Sequence, residues 1–75
     1  MKNIRRNMVI AQSLAEQIGY EKIWDIDVSE YSVRILTYAG YGVADIVLSL
    51  GFQQVDETHY QKGDQNIGIS KFFNK

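Results

Sequence analysis

The sequence predicts an α+β domain, with two helices packed on one face of a four-stranded, mostly antiparallel sheet in the chain order αββαββ. Three observations carry this. Two segments repeat apolar residues at helical spacing, and each stops at a glycine followed by an aromatic residue, Gly19-Tyr20 and Gly51-Phe52. After each stop the pattern changes to one suited to strands. The chain of 75 residues has room for one such domain, spanning 1–75.

The first helix is expected at about residues 3–18. Ile4, Met8, Ala11, Ala15 and Ile18 recur at spacings of three and four, joined by Leu14 on one apolar stripe. Asn3 suits the N-cap, Gly19 the left-handed residue just past the end, and Tyr20 can fold back onto the last turn. Trp24, Ile26 and Val28 then alternate with Asp25, Asp27 and Ser29, the period of a strand with one face inward. Val33 and Ile35 alternate with Arg34, Leu36 and Tyr38 in a second strand, so the polar Ser29–Ser32 stretch should close a hairpin.

Gly40-Tyr41-Gly42 breaks the pattern, and Val43, Ile46, Val47 and Leu50 follow the spacing of a short helix with Asp45 in its first turn. The remainder reads as a second hairpin. One strand lies within Gln53–Gln61, irregular enough to suggest a bulge or a sheet edge. The turn is Lys62-Gly63-Asp64-Gln65, and Ile67, Ile69 and Phe73 mark the last strand. A repeat at an offset of 32 residues aligns Ile18-Gly19-Tyr20 with Leu50-Gly51-Phe52 and Asp25 with Glu57, from either duplication or two uses of one helix ending. The expected core is Leu14, Ile18, Trp24, Ile26, Val33, Ile35, Ile46, Leu50 and Phe52.

Composition narrows the function classes. There is no cysteine, so disulfides and thiolate metal sites are excluded, and a single histidine cannot build a His-rich zinc site. A chain this small is marginally stable alone, so self-association or a larger partner is the expected support. No stretch reaches membrane-spanning length, and the polar residues between Met8 and Tyr20 break any leader-like run; a cytoplasmic protein with no membrane partner is expected. Charge is unevenly spread: +3 from Lys2, Arg5 and Arg6, −6 from Glu16 to Glu57, and +2 thereafter. An acidic body repels nucleic-acid phosphates and favours basic partners.

Each chemical motif meets a plain alternative. Asp25-Ile26-Asp27-Val28-Ser29 opens like an EF-hand loop, but its sixth and twelfth positions hold Glu30 and Leu36 instead of Gly and an acid, which rejects calcium. Gly40-Tyr41-Gly42 lacks the further glycines or the Lys and Ser/Thr of a phosphate loop. The Gly51-Phe52 to His59 stretch partly resembles the HicA-type toxin ribonucleases. It has Glu57-Thr58-His59 where that family has Gly-Ser-His, and it lacks a strongly basic surface, so His59 reads as an exposed strand histidine whose neighbouring acid on the same face is Glu57. No catalytic residue, cofactor site or metal site is assigned, and an enzyme is not expected.

Asp25, Asp27, Arg34, Leu36 and Tyr38 should share the sheet face that the helices leave open. Aromatic residues beside an arginine are common anchors of protein interfaces. The leading expectation is a non-enzymatic module that docks onto a larger protein by this face or an edge strand, a basic, nucleic-acid-handling protein being the kind of partner its charge suits. Pairing with a second copy is another expectation. The alternative is a nucleic-acid-binding regulator using Lys2, Arg5, Arg6 and the basic tail. The format (tiny, acidic in the body, free of cysteine and proline, without a catalytic motif) resembles that of small phage or mobile-element inhibitors of the anti-CRISPR and anti-restriction kind. That resemblance implies an inhibitor that works by binding.

Overall fold

The structure, a computed structural model, describes residues 4–40 and 42–70. In chain order these form α1 (Ile4–Ile18), a single 3-10 turn (Tyr20–Lys22), β1 (Ile23–Val28), β2 (Val33–Thr37), α2 (Val43–Ser49), β3 (Gln53–Gln54), β4 (His59–Lys62) and β5 (Gln65–Ile69). The fold is α+β. Both helices contribute to one core on one face of the sheet.

The sheet has five strands in the order β1-β2-β5-β4-β3, not four. The additional strand is the two-residue β3, which pairs with the end of β4 through Gln53 opposite Gln61. Three neighbouring pairs are antiparallel. The fourth, β2 beside β5, is parallel, with Ile35 opposite Ile67. This seam bears on the repeat. A two-fold rotation that kept both helices on one face would set the second strand of each αββ unit antiparallel to its counterpart, and here those strands run parallel. The repeat therefore does not appear in the fold as a two-fold-related pair of αββ units. Gly19 has φ 107, where a side chain is strained, and its N–H reaches back to the Ala15 carbonyl at 2.8 Å.

The core stripe of α1 is rotated from the expected one. Its buried residues are Asn7, Ala11, Leu14, Ala15 and Ile18, while Met8 is 57% exposed. The small Ala11 and Ala15 let the helix lie close to the sheet. Asn7 is buried because its Nδ2 donates to the Ser29 carbonyl at 2.9 Å, fastening the helix to the β1–β2 turn. Of the expected core, Leu14, Ile18, Val33, Ile35 and Phe52 are buried, and Ile46 and Leu50 pack half-buried against it. Trp24 and Ile26 do not belong to it, being 45% and 38% exposed. Val43, Val47, Tyr60 and Ile67 complete it instead.

Two physical causes explain the misplaced pair. The register of β1 on β2 slips between Ile23 and Asp25, a bulge that takes Trp24 off the core-facing alternation. Beyond it Ile26 regains the core-facing row opposite Ile35, but among the described residues β1 is an edge strand with a neighbouring strand on one side only.

Candidate functional site

The pairing registers place the outer-face side chains in two rows. One row runs Asp27, Arg34, Asn66, Gln61 and Gln53, strand by strand. It is polar throughout, and Arg34 lies 3.5 Å from Asp27 across β1 and β2. In the other row Asp25 is opposite Leu36, Leu36 opposite Gly68, and Gly68 opposite His59. Bulged Trp24 stands beside this second row. Together Trp24, Leu36, Gly68, His59, Thr58 and Ser70 help to line a shallow hollow of about 370 Å³ on the open side of the sheet.

Gly68 makes the hollow. A Cβ at this position would lie 2.8 Å from Leu36 Cδ2, so the leucine side chain lies over the glycine where another strand residue would project. The same Cβ would meet His59 Cδ2 at 3.7 Å and Nε2 at 3.9 Å, which turns that edge of the imidazole toward the floor. A glycine interior to a strand often marks such close approach.

The His59 ring is held from its other side. Asp56 Oδ1 lies 2.9 Å from Nδ1 and also accepts the backbone N–H groups of Thr58 at 2.9 Å and His59 at 3.0 Å. Hydrogen bonds from the Thr58 backbone, and then from the His59 side chain, hold the Asp56 carboxyl below the usual carboxylate range. A carboxylate on Nδ1, leaving Nε2 on the opposite edge of the ring, here over the Gly68 floor, is the arrangement used in general-base catalysis. Here the carboxylate spends its acceptor capacity on the backbone of the 56–59 turn, so its first role is that of a turn-former. The strand pattern pointed to Glu57 as the acid beside His59. The chain turns at 56–58 before β4 begins, and Asp56 takes that place. An Asp three residues before the histidine, with a threonine between, was the readable signal.

The expected binding residues divide between these features. Asp25 and Arg34 are exposed on the outer face, with Asp27 beside Arg34. Leu36 is on that face but half-buried in the hollow. Tyr38, also half-buried rather than exposed, continues β2 past its end, its N–H donating to the Lys22 carbonyl at 2.9 Å. The basic residues of the alternative reading do not converge. Arg5 and Arg6 are exposed on α1, Arg6 lies 3.9 Å from Asp64, and Lys2 and the tail residues Lys71 and Lys75 fall outside the described residues.

Among the described residues, no cluster of three or more His, Asp or Glu side chains is placed to hold a metal ion, and no helix is long and apolar enough to cross a membrane. Comparison with protein-family models, with curated proteins and with solved structures finds no match.

Proposed function

We propose that this domain is a non-enzymatic protein-binding module that docks onto a larger protein through its open sheet face. The observation that carries this reading is the hollow floored by Gly68, with an aromatic and an aliphatic side chain at its wall and carboxylates along the neighbouring strand. Apolar anchors inside a charged rim are what protein interfaces use. Asp25 and Asp27 favour a partner with a basic surface, such as a protein that handles nucleic acid. An inhibitor of the phage or mobile-element kind, acting in the cytoplasm, is the biological role that fits this format.

The test is capture from a native lysate by the immobilised domain, compared with Trp24→Ala and with Leu36→Ser, each verified as folded by circular dichroism. The expected result is a specific protein retained by the parent chain and lost from both variants. Asp25→Asn combined with Asp27→Asn should slow association with that protein, most visibly at low salt, because rim charges act mainly on encounter. Equal retention by all the chains would remove the outer face from the reading. If the captured species is nucleic acid, and its binding falls steeply with salt and with Arg5→Ala and Arg6→Ala, the regulator alternative replaces it.

A further inference from the structure

A second surface lies at the free edge of β1, distinct from the hollow. Hydrogen bonding at the hairpin end, where Ser29 N–H meets the Ser32 carbonyl at 2.9 Å, sets the phase of the β1–β2 ladder. Stepping back two residues at a time, Asp27 directs its backbone groups toward β2. Ile26 and Val28 direct theirs away from β2, to the side where no described strand follows.

Side chains flank this edge on both faces. On the outer face stand Asp25 and Asp27. On the helix side is Ile26, 38% exposed, and above it runs one flank of α1. The opposite flank of that helix faces the β4–β5 turn, as the contact of Arg6 with Asp64 and the groove that Val9, Ile10 and Ser13 form with Lys62 and Gln65 establish. At about 100° per residue around the helix, Ile4 and Met8 fall on the β1 flank. They are 39% and 57% exposed. The edge therefore offers open backbone groups, an apolar strip on one side and carboxylates on the other.

The charges decide what can pair here. In a second copy added antiparallel and centred on Ile26, each Asp25 would oppose Asp27 of the other copy. Centred on Asp27, that aspartate would oppose itself. Like charges directly opposite destabilise a strand pair, and these positions would be the close, non-hydrogen-bonded ones with Cα atoms about 4.5 Å apart. We propose that the β1 edge accepts an extended segment of another protein in which Lys or Arg alternates with apolar residues, the basic side chains facing Asp25 and Asp27 and the apolar ones lying under Ile4 and Met8. This is strand addition, with affinity from the backbone and selectivity from alternate side chains. It rests on the domain being a protein binder but not on the hollow.

The experiment uses two short blocked peptides, one alternating Lys with Val and the other Glu with Val, titrated into the full chain and followed by amide chemical shifts and hydrogen exchange. The expected result is binding of the Lys peptide at least about tenfold tighter than the Glu peptide, weakened by salt, with new protection at the Ile26 and Val28 N–H groups. Ile26→Pro deletes an outward N–H without touching the β1–β2 ladder and should abolish binding, whereas Ile26→Ala should retain it. Trp24→Ala should leave binding in place, which separates the edge from the hollow. No binding of either peptide, equal binding of both, equal effects of Ile26→Pro and Ile26→Ala, or protection confined to Leu36 and Gly68 would each overturn the proposal. Self-association that is lost with Ile26→Pro would assign the edge to a second copy instead.

Discussion

The two strands β1 and β5 reverse the burial their sequences suggest. β1 carries the clearest alternation in the chain, yet Trp24, Asp25, Ile26 and Asp27 are all exposed. β5, Gln65–Ile69, holds two polar residues and a glycine in five positions, yet Ile67 and Gly68 are buried. The difference is place in the sheet. Each strand has a helix packed on it, α1 on β1 and α2 on β5, but among the described residues β5 has a neighbouring strand on each side and β1 on one side only. Alternation reports which residues share a face. It does not report how well that face is covered, which depends on strands and helices distant in sequence.

The sharpest way to break this comparison is to truncate the equivalent isoleucine in each strand. Ile67→Ala removes a fully buried side chain at the centre and should cost about 2–5 kcal/mol, most of the ~5 kcal/mol expected for so small a domain. Ile26→Ala, at the edge, should cost under about 1.5 kcal/mol, since much of its surface already meets water. Urea unfolding followed by tryptophan fluorescence measures both. Equal costs would show that coverage of the sheet is not what distinguishes the strands.

A smaller effect of opposite sign is expected in β2, the strand between them. Thr37 is fully buried, and its Oγ1 finds no hydrogen-bond partner among the described residues. Thr37→Val keeps the branched shape and removes the orphaned hydroxyl, so it should stabilise the domain by about 1 kcal/mol. A loss of stability on denaturant unfolding would mean that the hydroxyl is satisfied after all.

The smallest effect lies at the far end of the sheet, in the turn before β4. The Asp56 carboxyl is held below its usual range in the folded chain, so the stability it contributes is present above the unfolded value and is lost as pH falls through the lowered folded value. The amide signals of Thr58 and His59 should therefore shift with an inflection below the ordinary carboxylate range. Asp56→Ala should abolish that inflection.

What the sequence shows and what it hides follow the same division. Local features are legible: α1 ends at Ile18 as expected, the β1–β2 hairpin turns at Ser29–Ser32, and the second hairpin turns at Gly63-Asp64. The placements of Leu36 and Arg34 on the outer face were also readable, because β2 keeps strict alternation. The bulge at Trp24 was not, since one inserted residue changes the face of a side chain without changing the composition around it. Nor was the hollow, which needs Leu36, Gly68 and His59 side by side from three strands. Nothing near Gly68 in the chain announces that Leu36 will lie across it.

The parallel seam between β2 and β5 also bears on how the chain folds. On one side of it, α1, β1 and β2 are joined by short connections, and so are β3, β4 and β5 on the other. Each group makes its contacts locally. The seam instead unites Val33 with Gln65 across the whole of α2 and the segment that follows, so its closure entropy must be met before its contacts can offset it. Two quickly formed halves meeting at a slow joint is the resulting kinetic picture. Substitutions at Ile35 and Ile67 should then retard folding, whereas those in β1 should act mainly by hastening unfolding.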